Sequence, residues 1–135
     1  MKTLINRITV AAVAFLLLSA VWINQKFGDW KAPPEADKVS NPLKGNTAAT
    51  VLGKKLYTQL CVVCHGDKGK GDGIAGISLN PRPANHSSAK VQSQTDGAIF
   101  WKITTGRPPM ASYTKSLTET QRWQLVNYIR QLAKK

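Results

Sequence analysis

The chain reads as all-α. Two long segments carry apolar residues at helical spacing behind good capping residues, a third helical segment lies between them, and no run alternates apolar and polar residues as a half-buried strand would. Asn46 or Thr47 can cap the first helix, which is predicted to reach about Leu60 with Val51, Leu52, Leu56, Tyr57 and Leu60 as its apolar stripe. Gly53 interrupts that helix at a cost of about 1 kcal/mol against alanine, which predicts a close approach by another helix. A middle helix is expected from Asp96 as far as Ile103 (DGAIFWKI), opened by Thr95 or Asp96 and stopped by Thr104, Thr105 and Gly106. Thr118 opens the last helix, where Gln121 completes a capping box and Trp123, Val126, Ile129, Arg130 and Leu132 follow helical spacing.

The 135 residues divide into three parts: 1–27, 28–47 and 48–135. The first has a basic head with Lys2 and Arg7, then an uncharged run that begins at Ile8 and ends at Ile23 (ITVAAVAFLLLSAVWI), then Asn24, Gln25 and Lys26. Sixteen residues are slightly many for a signal-peptide core of about 7–15 and slightly few for a membrane span of about 17–25. No alternating pair of small residues follows the run, and Trp22 and Ile23 stand where a cleavage site would be. No cysteine follows, which excludes a lipoprotein. The segment is expected to be an uncleaved transmembrane anchor. Lys2 and Arg7 put the N-terminus in the cytoplasm. Ala11, Ala12, Ala14 and Ala20 offer close packing to other transmembrane subunits. Residues 28–47 hold three prolines and two glycines with no apolar periodicity, and are expected to be a linker. Pro33-Pro34 favours extended chain, with a reach of up to about 60 Å at 3.1 Å per residue. Wrapping of the domain by this segment stays open as the alternative.

The chemistry lies in Cys61-Val62-Val63-Cys64-His65. Two cysteines three apart with histidine directly after the second read as a covalent c-type haem attachment site. Each thiol adds to one vinyl group of the ring, and the histidine ligates the iron. A redox dithiol would need a βαβ setting, which is absent from the pattern. A zinc site would have to complete itself from His65 and His86, because the chain has no other cysteine or histidine. Haem attachment of this kind takes place outside the bacterial cytoplasm, so residues 48–135 are expected on the periplasmic face of the inner membrane. The glycine-rich stretch Gly66-Asp67-Lys68-Gly69-Lys70-Gly71-Asp72-Gly73 follows a Cys-His motif instead of a strand and lacks a Gly-Lys-Ser/Thr ending, which excludes a phosphate loop. Its glycines suit a turn against the haem edge.

Residues 48–135 resemble a class I cytochrome c domain, of the small monohaem type associated with oxidases and quinol-oxidising complexes. The likeness is carried by Gly53-Lys54-Lys55-Leu56-Tyr57 before Cys61, by Cys64-His65-Gly66 with Gly69, Gly71, Asp72 and Gly73, and by Leu79-Asn80-Pro81-Arg82-Pro83-Ala84-Asn85. Asp96-Gly97-Ala98-Ile99-Phe100-Trp101-Lys102-Ile103-Thr104-Thr105-Gly106, Met110, and Arg122-Trp123 with Val126-Asn127-Tyr128-Ile129-Arg130 complete it. The resemblance implies helices packed around one covalently bound haem c, with the first and last helices crossing so that Gly53 and Tyr57 meet the Trp123–Tyr128 region. It implies that His65 and Met110 are the two iron ligands. It also implies that the Pro81 carbonyl accepts the His65 ring proton, and that Arg82, Phe100 and Ile103 line the group. Arg82, Lys102, Arg107 and Tyr113 are candidates for the propionates. Met110 is the only methionine after Met1 and follows Pro108 and Pro109 in a loop, which makes it poor core material; thioether ligation raises the reduction potential. Ala111 stands where the family usually has proline. His86, between Asn85 and Ser87-Ser88, is expected as a solvated surface residue, and is the rival sixth ligand.

From Asn46 onward there are thirteen Lys/Arg against four Asp/Glu, a balance of +9. A basic domain of this kind is expected to dock on acidic patches of redox partner proteins, with association that fades in salt. No nucleic-acid motif is present and no small-molecule substrate is expected. The predicted function is one-electron transfer, as a tethered carrier or as the cytochrome subunit of a larger membrane oxidoreductase. The alternative is a haem enzyme or gas sensor with an open sixth position.

Overall fold

A computed structural model describes residues 28–134, in which a compact unit runs from Lys31 onward. The uncharged run of residues 8–23 lies outside the described residues. Among the described residues no helix is long and apolar enough to cross a membrane.

Local chemistry sets the helix ends. The Asn46 side chain accepts from the Ala49 amide (2.9 Å) and opens the helix Thr47–Leu60. The Thr95 hydroxyl accepts from the Ala98 amide (3.0 Å) and opens Asp96–Thr105, two residues longer than the sequence predicts, which ends at Gly106. Thr118 and Gln121 exchange hydrogen bonds of 2.8 and 3.2 Å, a full capping box at the head of Glu119–Gln131. A 3-10 turn, Leu132–Lys134, closes the chain. The sequence did not foretell the short helices Pro34–Asp37 and Ala89–Gln92. Among the described residues the nearest thing to a strand is an isolated bridge between Arg107 and Met110.

The Thr47–Leu60 helix packs against Glu119–Gln131. A Cβ at Gly53 would lie 1.9 Å from the Gln124 carbonyl oxygen, so only glycine lets the two backbones meet there. Tyr57, Trp123, Leu125, Val126 and Leu132 are fully buried at and around this contact. Phe100 from the middle helix stacks on Trp123, centroids 3.9 Å apart and planes 14° apart.

The expected apolar stripe of the first helix holds at Tyr57, which is fully buried, and at Leu56, which packs against the core, and is corrected at Val51, Leu52 and Leu60. Its buried face is Ala49, Gly53 and Tyr57, spaced i, i+4, i+8. Val51 lies two residues from both Ala49 and Gly53, so it points to the opposite side and is 53% exposed; Leu52 and Leu60 are exposed as well. Small residues won the interface because they allow the closest backbone approach.

The expected linker is also corrected. Residues 33–46 pack on the domain, the wrapping arrangement, and contribute no extended spacer. Ala36 and Asn41 are buried and Leu43 packs against the core. The Asn41 amide donates to Asp96 Oδ2 (2.9 Å) and to Asn127 Oδ1 (2.8 Å), while its oxygen accepts from the Leu43 amide (2.9 Å). Asn127 donates in turn to the Leu43 carbonyl (2.6 Å). Every donor and the acceptor of Asn41 is thereby satisfied, which is what makes a buried amide tolerable. Arg130 pairs with Asp96 at 2.7 Å and completes the clamp. Pro33 and Pro34 do not extend the chain; they start a helix, with proline in its first turn where no amide proton is needed.

Candidate functional site

The first helix runs directly into a second turn, Val62–His65, with Cys61 as the joint: its amide donates to the Tyr57 carbonyl (2.8 Å) and its carbonyl accepts from His65 (2.8 Å) and Cys64 (3.1 Å). That turn presents Cys61 and Cys64 one turn apart as free, half-buried thiols and sets His65 beside them. Burial, and secondarily the neighbouring Cys64, pushes the Cys61 thiol up to about 12.

A four-residue turn leaves its last carbonyls without helical partners. Here the glycine-rich loop supplies them. The amides of Gly71, Gly73 and Ala75 donate to the carbonyls of His65 (2.8 Å), Cys64 (3.2 Å) and Val63 (2.9 Å). The loop lies so close that a Cβ at Gly73 would come 2.4 Å from the Val62 carbonyl oxygen and 2.6 Å from the Cys64 carbonyl carbon. The glycines predicted to make a turn therefore fold it back onto the attachment motif.

The His65 ring is buried, and its Nδ1 lies 3.0 Å from the Ala84 carbonyl oxygen. A carbonyl can only accept, so Nδ1 carries a proton, and Nε2 is the nitrogen left to offer a lone pair to a metal. Burial lowers the His65 pKa, with the Ala84 hydrogen bond acting the other way. This corrects the expected role of Pro81: the acceptor is Ala84, three residues on. The reason is the register of this stretch against the glycine loop, fixed where the His86 amide donates to the Gly69 carbonyl at 2.6 Å. Pro81 is half-buried and Arg82 exposed.

His86 is a second correction. It is not a solvated histidine. Its ring stacks on His65 with centroids 4.0 Å apart and planes 19° apart, and its Nδ1 lies 3.1 Å from the Tyr57 hydroxyl. Burial, then the neighbouring His65, holds its pKa well below the usual imidazole range. Two imidazoles on opposite sides of one iron, with metal–nitrogen bonds of about 2 Å each, would have centroids roughly 6 Å apart. Face-to-face rings at 4.0 Å do not make such a pair. Nothing local in Asn85-His86-Ser87-Ser88 signals these contacts.

Met110 is half-buried and ends a tight turn: its amide donates to the Arg107 carbonyl (2.9 Å) and its carbonyl accepts from the Arg107 amide (3.1 Å). Beyond it the loop is fastened back to the middle helix, with Tyr113 N donating to the Ile103 carbonyl (3.2 Å) and Ser112 Oγ to the Thr104 carbonyl (2.6 Å). Ile103 is buried; Phe100 is half-buried, stacked on Trp123, with the Arg122 guanidinium 5.2 Å from its ring centre. Of the propionate candidates, Tyr113 belongs to this site. Its hydroxyl donates to the Leu60 carbonyl (3.3 Å), and burial followed by the Cys61 and Cys64 sulfurs raises its pKa. Lys102 instead reaches the Gln94 side chain.

Two unpaired thiols one helical turn apart, followed directly by a buried imidazole whose Nδ1 is already engaged, fit a covalently attached haem. Cys61 and Cys64 would hold the ring and His65 Nε2 the iron.

The Cytochrome c family model matches residues 50–133. Among solved structures, the Kuenenia stuttgartiensis reducing HAO-like protein complex Kustc0457/Kustc0458 contains a similar chain, with 28% identity and a TM-score of 0.61 over 70% of this chain. This chain spans 49% of that one's length. The KustC0563 c-type cytochrome is similar at 29% identity and a TM-score of 0.51, over 59% of this chain and 95% of its own. No curated protein matches.

Proposed function

This chain belongs to the cytochrome c family, is an electron-transfer cytochrome carrying covalently bound haem c, and we propose that it works as a membrane-tethered one-electron carrier of a respiratory or related chain. Within that reading, residues 8–23 anchor it in the bacterial inner membrane with its haem domain in the periplasm. It exchanges electrons with partner proteins and takes no small-molecule substrate. Haem iron supplies the chemistry by cycling between its ferric and ferrous states. The protein's part is to keep the ligands still, so that little has to reorganise when the charge changes.

The observation that carries the carrier role is the Nδ1 to Ala84 hydrogen bond. It fixes the tautomer and direction of His65, while the Arg107–Met110 turn holds the only methionine of the domain in a constrained loop. His65 and Met110 would both ligate the iron, which favours electron transfer over binding of a substrate at the metal. His86, committed to Tyr57 and to the face of His65, is not free to compete.

Whether the carrier is free-standing or a subunit bears on the stretch 33–46. Because it packs on the domain, it adds no length to a tether, and this favours a fixed subunit of a larger oxidoreductase over a long-range shuttle. The likeness to a chain within a protein complex points the same way. The +9 balance of residues 46–135 suits acidic docking surfaces.

Two measurements test this. Met110→Ala should leave the haem attached, lower the potential, open the iron to carbon monoxide and abolish the far-red sulfur-to-iron band of the ferric state. A wild-type protein that lacks this band and already binds carbon monoxide would show that Met110 is not the ligand and would favour the open-site enzyme or sensor. Intact mass of the native protein from carbonate-washed membranes should include residues 1–30. A mature N-terminus between Ala20 and Lys38 would show a cleaved, freely soluble cytochrome.

A further inference from the structure

The His65 ring has two contacts of different kinds. The hydrogen bond from Nδ1 to Ala84 fixes the direction of one edge, yet the ring can still tilt about that line. The second contact removes the tilt: the His86 ring lies flat against the His65 face at 4.0 Å and 19°.

His86 is itself held in place by hydrogen bonds. Its Nδ1 meets the Tyr57 hydroxyl at 3.1 Å, its amide donates to Gly69 at 2.6 Å, and its carbonyl accepts from Gln92 Nε2 at 2.6 Å. Tyr57 is fully buried, its ring 5.1 Å from that of Tyr128 on the C-terminal helix. A continuous line of ring contacts, Tyr128 to Tyr57 to His86 to His65, thus connects the crossing of the two long helices to the axial imidazole.

We propose that His86 is a positioning residue: pinned by Tyr57, its ring sets the plane of the His65 imidazole and so the electronic environment of the iron that His65 binds. Partners behind a metal-bound histidine commonly fix its orientation and tune the metal. Here the partner acts through the ring face, in addition to the usual acceptor at Nδ1. This role presupposes His65 as an axial ligand and does not depend on the membrane or partner assignments.

The test compares holoprotein of wild type, His86→Ala, His86→Phe and Tyr57→Phe. Three readouts apply: ferric electron paramagnetic resonance, the proton-NMR shifts of the haem methyls, which report the plane of an axial imidazole, and the midpoint potential. His86→Ala should rearrange the order of the methyl shifts. It should also lower the potential, because the ring it removes keeps water from the proximal side and a wetter site favours the more charged ferric state. His86→Phe keeps a flat ring and should restore most of the wild-type pattern. Tyr57→Phe should broaden or displace the pattern less than His86→Ala. A wild-type methyl order and potential in His86→Ala overturns the role, as does a His86→Phe spectrum that matches His86→Ala. Should His86→Ala fail to accumulate, Tyr57→Phe decides alone: an unshifted methyl pattern overturns the role and a shifted one supports it. In every arm a six-coordinate spectrum shows that the ligand assignment stands independently of this outcome.

Discussion

Where the Thr47–Leu60 and Glu119–Gln131 helices cross, side chains fill the space: Tyr57, Trp123, Leu125 and Val126 are buried, and Gly53 admits the partner backbone. Around Cys61–His65 the backbone itself does the holding. Loop amides from Gly71, Gly73 and Ala75 close the carbonyls of the attachment turn, and exposed apolar residues such as Val63 and Ile74 stand at its edge. The crossing is a packed interior whose geometry depends on volume. The attachment turn is a preformed bracket whose geometry depends on hydrogen bonds and on the absence of side chains, leaving thiols and imidazole in place for a large ring. The two should fail differently.

The sharpest break is at the bracket. Cys61→Ala with Cys64→Ala should eliminate covalently attached haem entirely, read as haem that survives acid-acetone extraction and denaturing electrophoresis in the wild type and not in the variant. Extractable haem in the wild type would contradict the attachment. At the crossing, Gly53→Ala must push a backbone carbonyl aside, and should cost about 3 kcal/mol, the upper part of the overpacking range. For a domain of this size the thermal midpoint should fall by more than about 10 °C. A change below 2 °C would show that the helices slide apart freely. Asn41→Ala sharpens the comparison from the side of the wrapped segment. It strips Asn127 and Asp96 of a buried donor and should cost about 2 kcal/mol in chemical denaturation. No loss would mean that residues 33–46 are only laid on the surface. Smallest of all, Val51→Ser sits on the far side of the same helix as Gly53 and should change stability by less than about 0.5 kcal/mol. A loss comparable to that of Gly53→Ala would return Val51 to the core.

The parts legible in the sequence are those that local chemistry decides. Thr118 caps the helix it was expected to cap, Asn46 and Thr95 are the chosen members of the pairs Asn46/Thr47 and Thr95/Asp96, and the Cys-x-x-Cys-His spacing and the close approach at Gly53 could be read directly. The rest depends on partners far along the chain. His86 stands between polar Asn85 and Ser87, and its ring is drawn in by Tyr57, 29 residues earlier. The acceptor for His65 is Ala84 instead of Pro81 because of how residues 80–86 lie along the glycine loop, a register no local signal carries. Asn41 reads as linker composition until Asp96 and Asn127, 55 and 86 residues away, are placed beside it. The apolar stripe misled for a different reason: periodicity favours large residues, whereas this interface selected Ala49 and Gly53.

The closure of the glycine loop behind the attachment turn also makes the shape of that turn independent of its side chains. Once Gly71, Gly73 and Ala75 have bonded to His65, Cys64 and Val63, the turn is backed by main chain at contact distance and both thiols are half-buried. The loop engages only main-chain atoms of the motif and leaves both sulfurs free. The glycines therefore set the geometry of the bracket through its backbone, on terms that ask nothing of the side chains that would meet the ring.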